Sequence, residues 1–400
     1  MKVNQIYSLL NDTLAEAFGT SAVNALDVTD VMSLRETVFN GDSDKFLNVL
    51  IDRIGKTVIR TLDFTNSFPN LLMEEFEFGA VLQKIDVQPM QAQEQKAWEI
   101  GEAGFTPNLF TITKPTVRQG FFRNVSAWEV SVGIPDTMFK TAFTSAEAMD
   151  SFITGIFDSM STSLNMQLEA EERLQIATLI AMKINGSNGV IDLLSLYNNV
   201  ADTPIYDSAI AMCNKDFLQF AGKIMRNYVK YMAKPSTLYN MGDSDSNTYV
   251  RATARDNMHV MLLTEFVSAY DTYVKSVLFN PEDLPLYNEV EYWQGTGTTQ
   301  PDFATCSAIN ITLNNDAEHS GANPVTVNQA GVVGLFCDRQ TIGVGLYDRF
   351  SAVDRNNRNR YSVHTNGCSI QSFIDTSENA VCFIVQDQTE PGGGGEGGRE

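Results

Sequence analysis

Hydrophobic positions in the middle of the chain recur at helical spacing over a long stretch. The 3.6-residue period runs from Met149 to Leu168 and resumes from Leu174 to Ile184. No proline interrupts it, and the sequence NGSNG at 185–189 is a typical helix stop. About 40 residues at 1.5 Å each would extend roughly 60 Å. The pattern predicts one long helix lying across a sheet, and two ordinary helices with a break between them are the alternative.

The region before this helix alternates in the manner of β-strands. The runs at 73–90 and 108–134 are rich in Val, Ile, Phe and Thr, and a polar, glycine-containing stretch separates them. Two long strands joined by a polar tip describe an extended hairpin. A two-stranded hairpin of that length cannot bury both of its faces alone, so we expect it to lie on something else.

The stretch TVRQGFFRNVS at 116–126 falls on the returning strand, close to where the hairpin rejoins the body. Alternation along a strand puts Phe121 and Phe122 on opposite faces, so one can enter the core while the other covers a different surface. Gly120 would permit a bend or bulge at the base of the hairpin.

Elsewhere the chain mixes both kinds of element. Amphipathic helices are predicted within 1–40 and 44–62, and further helices within 214–234 and 264–279. Strands are predicted at 259–263 and in four segments after 331, and a glycine-rich tail ends the chain. The fold class expected from this order is α+β.

Composition and charge exclude several classes of protein. The net charge of −21 argues against a free-standing nucleic-acid reader, because such readers are basic. Five cysteines without a CxxC pair suit a reducing compartment. The N-terminal stretch has no apolar signal-peptide core, and no apolar run approaches membrane-spanning length. We therefore expect a protein made in a cytoplasm, with no membrane partner.

Short motifs that suggest chemistry are incomplete. DRIGKT at 52–57 lacks the first glycine of a phosphate loop, and GDSDSN at 242–247 lacks the glycine and glutamate of a calcium loop. The three histidines lie far apart, and the acidic cluster at 169–173 is interpreted as a solvated helix face. A Cys–His pair that meets only in space stays open. The sequence predicts no catalytic residue, no metal site and no cofactor.

The order of the parts resembles the major capsid proteins of tailed phages, which have the Hong Kong 97 type fold. Three stretches resemble the coat proteins of small short-tailed phages (podoviruses) with protein-primed replication: LIDRIGKTVIR at 50–60, RQGFF at 118–122 and FKTAF at 139–143. SFITGIFDSM at 151–160 falls where that family begins its long spine helix.

The resemblance implies a division of the chain into regions of the Hong Kong 97-like fold. These are an N-terminal arm (1–44), a helix of the peripheral domain (45–69), the extended loop (70–125), the peripheral domain with the spine helix (126–190), the axial domain (191–330), a closing β segment (331–388) and a flexible tail (389–400).

The resemblance also implies a structural role and a set of partners. Pentamers and hexamers of the chain would form an icosahedral or prolate virion shell around double-stranded DNA, which the shell contacts non-specifically. A separate scaffolding protein and a portal would be further partners, and assembly would take place in the host cytoplasm. The alternatives are a nanocompartment shell of the same fold and an acidic intracellular α/β enzyme with its site in 190–330.

A set of residues is predicted to contact neighbouring subunits if the resemblance holds. Trp98 lies near the loop tip, where an exposed tryptophan would otherwise be a liability. Arginines near the loop base and near 354–360 would pair with acidic residues of another copy. The full set is Trp98, Arg118, Gly120, Phe121, Phe122, Arg123, Arg355, Arg358 and Arg360.

Overall fold

The structure is a computed structural model. It describes residues 16, 71–73, 82–89, 114–115, 117–122, 124–135, 146–241, 249–276, 284–296, 307–313, 324–356 and 361–389. The predicted helices between 17 and 62, the two incomplete motifs at 52–57 and 242–247, and the glycine-rich tail lie outside the described residues. So do Trp98, Arg123, Arg358 and Arg360.

The long helix is continuous, as its periodicity predicts. Helix α1 spans Ala146–Gly186, and it ends where Ser187 and Gly189 adopt positive φ angles of 51° and 73°. A Cβ at Gly189 would lie 2.7 Å from the carbonyl oxygen of Ala380, so only glycine fits this turn. None of the helices that the structure describes is long and apolar enough to cross a membrane.

Four strands form a long, mostly antiparallel sheet beside the first half of α1. In sheet order they are β1 (Leu72–Met73), β11 (Ile342–Asn356), β12 (Tyr361–Ile374) and β4 (Asn124–Pro135). Leu164 and Leu168 of α1 pack on Val344, Cys368 and Ile370 of this sheet. The sequence DRNNRNR at 354–360 begins inside β11, because Asp354, Arg355 and Asn356 pair with β12.

Five strands form a second sheet, called the central sheet. Their order is β5 (Val190–Asp192), β13 (Ala380–Ile384), β10 (Val332–Asp338), β6 (Met258–Leu263) and β7 (Asn288–Val290). Alternate residues of β13 enter two separate cores: Ala380 and Cys382 face α1, whereas Val381 and Phe383 face the opposite side. Both faces of the central sheet are therefore covered.

Helices cover the face of the central sheet opposite α1. They are α2 (Leu193–Asn198), α3 (Ser208–Met212), α4 (Lys215–Met232) and α5 (Thr264–Tyr270). Buried residues of α4 recur at i, i+4 spacing, as in Phe217, Ala221, Met225 and Val229, which explains why this helix packs along one stripe. The central sheet with α2–α5 is called the central-sheet lobe.

Two small ribbons complete the described fold. Strands β8 (Ile309–Leu313) and β9 (Val325–Gln329) pair with each other and pack on the second half of α1. Strands β2 (Leu82–Val87) and β3 (Val117–Phe122) pair antiparallel. This pairing agrees with the hairpin that alternation predicts, and it shows where the hairpin meets the rest of the chain. The domain boundaries that the resemblance implies stay predictions.

Candidate functional site: the two faces of the hairpin base

The base of the hairpin is a two-stranded ribbon with two chemically different faces. Lys84 pairs with Gly120, and Asp86 pairs with Arg118. These positions are half-buried, whereas the positions between them are exposed. Side chains alternate across a strand, so the charged residues of the ribbon share the inner face and its exposed positions share the outer face.

The inner face is held to the body by ion pairs with the turn between β12 and β13. The Lys84 Nζ atom lies 2.8 Å from Asp375 Oδ2 and 2.8 Å from Glu378 Oε1. Arg118 Nη1 lies 3.2 Å from Asp375 Oδ1 and also donates to the Ser377 hydroxyl. Asp375 is fully buried, so both cations of the hairpin share one desolvated carboxylate.

Arg251 joins the hairpin to the central-sheet lobe. Its guanidinium donates to Asp86, and its Nε atom lies 3.2 Å from the Ser377 carbonyl oxygen and 3.5 Å from Glu378 Oε2. The ring of Tyr249 stacks beneath two guanidiniums, with Arg118 Cζ 5.2 Å and Arg251 Cζ 5.6 Å from its centroid. We call Lys84, Asp86, Arg118, Arg251, Asp375 and Glu378 the ionic cluster.

The electrostatics of the ionic cluster favour its charged form. The hydrogen bond from Arg251 holds the pKa of Asp86 below its usual value of 3.8. Burial alone would raise the pKa of Asp375, but hydrogen bonds from Lys84 and Ser377 outweigh burial, and its pKa also lies below 3.8. Three cations face three carboxylates, so the cluster is neutral overall and attracts the hairpin without adding net charge.

The outer face of the ribbon is exposed, and apart from Gln83 and Gln119 it is apolar. Ile85 is 63% exposed and Phe121 is 62% exposed, and Val87 and Val117 are a cross-strand pair that is also exposed. Monomeric proteins usually bury this kind of surface. The ribbon therefore turns its polar side inward and its apolar side outward, which is the reverse of the arrangement in a self-contained sheet.

The chain passes from the ribbon into the long sheet between β3 and β4. Phe122 packs on Phe373 with ring centroids 5.2 Å apart, and its carbonyl oxygen accepts from Gln371 Nε2 at 3.2 Å. The opposite orientation of Phe121 and Phe122 is confirmed. Of the bend or bulge that Gly120 would permit, no bulge forms, because pairing with Lys84 continues without a register shift. The pairing partner changes after Phe122, where the chain passes from one sheet to another.

The acidic cluster of the long helix is buried, which corrects the prediction of a solvated face. Glu171 and Glu172 are almost fully buried, and Arg173 joins Glu169 at 2.6 Å and Glu291 at 2.7 Å. Glu171 accepts from Gln175 at 3.0 Å and contacts Ser372 at 3.4 Å, and burial raises its pKa. The charged side chains in this part of α1 therefore contact neighbouring elements instead of facing water.

The structure brings together only some of the predicted interface residues. Arg118, Gly120, Phe121 and Phe122 all lie on β3, and Arg355 lies on β11, where its backbone pairs with Ser362. Arg118 is paired within its own chain, and its contact with a neighbouring subunit stays a prediction.

Five members of the ionic cluster were not among the predicted site residues. The alternation Lys84-Ile85-Asp86-Val87 was an available signal, since it separates charges from apolar residues. The ion-pair partners of the ribbon lie in distant segments, with Arg251 ahead of β6 and with Asp375 and Glu378 after β12. No local pattern connects these segments.

The described fold combines a long helix packed on two sheets with a two-stranded ribbon that is held against the turn between β12 and β13. The fold is similar to that in the capsid structure of Staphylococcus phage Andhra, with a TM-score of 0.50 over 78% of this chain and 82% of that one, at 10% sequence identity. The chain therefore has the Hong Kong 97-like phage capsid fold.

The sequence places the chain within that class. The model of the Phi29-like phage major capsid protein family matches residues 8–384, so the chain belongs to this family. It is 24% identical to the major capsid protein of Streptococcus phage Cp-1 over 58% of this chain and 59% of that protein. It is 27% identical to the major capsid protein of Bacillus phage PZA over 36% of this chain and 30% of that protein. The matches thus span less than two thirds of either relative, and they support neither the nanocompartment nor the enzyme alternative.

Proposed function

We propose that this chain is the structural subunit of a virion shell, icosahedral or prolate, that encloses double-stranded DNA. The observation that carries the proposal is the exposed apolar face of the hairpin base. A shell subunit needs repeated contacts that are incomplete in the isolated chain. The outer face of the ribbon is such a contact, while the ionic cluster holds the ribbon at a set position on its own body.

In this proposal the outer face covers a neighbouring copy within a pentamer or hexamer. Burying a large apolar side chain contributes about 1.5–3 kcal/mol. Ile85, Val87, Val117 and Phe121 would all be buried together. Trp98, Arg123, Arg355, Arg358 and Arg360 would add contacts elsewhere on the same neighbour or on others.

The other partners follow from the family to which the chain belongs and from its charge. A separate scaffolding protein would guide closure, and a portal would occupy one vertex. With a net charge of −21 the subunit repels phosphates, so packaged DNA would touch the inner wall non-specifically and without adhesion. The role is structural, without a catalytic step, and assembly would take place in the host cytoplasm.

The test is assembly of purified subunits, with and without co-expressed scaffolding protein, followed by sedimentation and electron microscopy. The unaltered chain is expected to form closed shells. The double variant Val117→Thr/Phe121→Thr keeps strand-forming residues but removes two apolar contacts of the outer face. Its shell yield should fall at least about tenfold, since 1.4 kcal/mol lost per contact already changes an equilibrium tenfold.

Gln119→Thr is the matched control, because Gln119 lies on the same strand and the same exposed face but is polar. It should assemble as the unaltered chain does. Subunits that stay monomeric under every condition, scaffold included, would refute the shell function. Equal shell yields from the double variant and the control would instead show that this face is not an interface.

A further inference from the structure

The central-sheet lobe contains a cleft that the hairpin contact does not use. Its volume is about 260 Å³, and the side chains that give it its chemistry are Arg255, Asp256, His259 and Arg339, with Leu286 and Tyr287 on an apolar wall. It lies where β6 begins and β10 ends. The two strands pair there through Met258 and Asp338.

The register of the central sheet brings the two arginines to the same cleft. Arg255 opens a 3₁₀ turn immediately before β6, and Arg339 follows the last residue of β10. The Arg339 amide donates to the Asn257 carbonyl oxygen at 2.9 Å, which fixes one segment against the other. Both arginine positions therefore depend on backbone pairing and not on a mobile loop.

These arginines have no carboxylate partner within the described parts of the chain, and both are exposed. Asp256 is the one carboxylate among the described residues that line the cleft, so the lining carries a net positive charge. The whole chain carries −21. The cleft attracts anions, whereas most of the surface of so acidic a protein repels them.

His259 is a buried polar residue beside the two arginines. The residue lines the cleft and is 3% exposed, and its Nε2 atom is buried without a hydrogen-bond partner among the described residues. Burial, aided by Arg339, lowers its pKa to about 4, so the imidazole is neutral at physiological pH. A neutral imidazole protonated at Nε2 can donate to an anion, and native proteins seldom leave such a buried group unpaired.

We propose that this cleft receives a carboxylate side chain from a second copy of the chain. The inference rests on the proposed shell function, which sets copies side by side. A carboxylate with its adjoining peptide fits the volume and would cover Leu286, which is 85% exposed. Arginine forks match carboxylates in two-pronged geometry. A DNA duplex is a convex cylinder, and its phosphates would reach only the rim of the cleft.

The first measurement uses unassembled subunits and a fluorescein-labelled tetraglutamate peptide, with binding followed by fluorescence anisotropy. Arg255→Ala/Arg339→Ala should weaken binding at least about tenfold, because it removes the charge-assisted hydrogen bonds of both guanidiniums to the peptide carboxylates. Asp256→Asn removes the carboxylate of the cleft and should tighten binding, which a merely structural role would not predict. Lys223→Ala/Lys234→Ala removes two exposed charges of the same lobe and should leave affinity unchanged.

The second measurement compares shell yields of the same variants. If unaltered subunits form shells, the arginine double variant should form at least about tenfold fewer, and the lysine control should form as many. Equal peptide affinity in the arginine variant and the unaltered chain would overturn the cleft assignment, regardless of the shell yields. Binding of a short DNA duplex that depends on these arginines, without peptide binding, would overturn it in favour of DNA. Failure of unaltered subunits to assemble would count against the shell function, and the peptide measurement would still decide the cleft.

Discussion

The central sheet and the hairpin base are both β structures, but they place their apolar side chains in opposite ways. Strand β10 is buried at all seven positions, and β13 feeds two apolar cores. The ribbon of β2 and β3 instead rests on its body through charges and exposes its hydrophobic residues. The first arrangement buries its apolar residues within one chain, whereas the second leaves them exposed.

This contrast between a buried sheet and an exposed ribbon explains how a chain can be stable alone and still expose an apolar surface. Apolar burial is roughly proportional to area and supplies most of the stability of a fold. Ion pairs at a partly exposed site contribute less, but they fix position because their geometry is specific. The hairpin base is thus positioned by its inner face and keeps its outer face available.

The largest expected effect is a truncation in the central sheet. Phe383 is fully buried against Phe336 and Tyr228, with ring centroids 4.6 Å and 5.5 Å away. Phe383→Ala should lower the free energy of unfolding by about 3–5 kcal/mol, because it leaves a cavity. Urea unfolding followed by circular dichroism measures this loss. A change in the free energy of unfolding below about 1 kcal/mol would contradict the tight packing of Phe383 in the central-sheet lobe.

A smaller effect is expected from the ionic cluster. Asp375→Asn keeps the shape of the side chain but removes the charge that Lys84 and Arg118 share. The hairpin should be held more weakly by about 1.5–3 kcal/mol. Amide hydrogen exchange in 82–87 and 117–122 should accelerate about tenfold to a hundredfold, while exchange in β10 stays unchanged.

Asp354→Asn is the control for this change, because Asp354 is an exposed carboxylate on β11. It should leave exchange in both regions as it is. Equal acceleration in β10 after Asp375→Asn would mean that the cluster supports the whole fold and not the hairpin alone.

Acid should also weaken the ionic cluster, but by less than the Asp375→Asn substitution does. The pKa values of Asp86 and Asp375 lie below 3.8 in the folded chain, so their stabilisation is complete above pH 3.8 and is lost as pH falls through the folded-state values. The difference in unfolding free energy between the unaltered chain and Asp375→Asn should be constant from about pH 5 to 8 and should shrink below 3.8. A difference that grows on acidification would contradict this account.

The smallest effect on the isolated subunit is expected on the outer face. Phe121→Ala truncates the same type of side chain as Phe383→Ala, but Phe121 is exposed. Its unfolding free energy should change by no more than about 0.5 kcal/mol, while its shell yield falls. A loss close to that of Phe383→Ala would show that the outer face is buried within its own chain.

Much of the fold could be predicted from local patterns. The period of α1, the alternation of β2 and β3, and the opposite orientation of Phe121 and Phe122 depend on backbone geometry that repeats along the chain. The error at 169–173 has the same origin. A run of charges is usually solvated, and no local pattern indicates that Glu171 meets Ser372 of β12 or that Glu172 is buried.

The kinds of element, their order and the family resemblance could be predicted from the amino-acid sequence, because periodicity and motif are properties of neighbouring residues. Which charges meet depends on tertiary packing, which brings Lys84 and Arg118 to Asp375 and sets Arg255 beside Arg339. Such pairs join segments far apart in the chain, and their position depends on sheet register and on the packing of whole elements. The same packing turns the apolar residues of the hairpin base toward solvent.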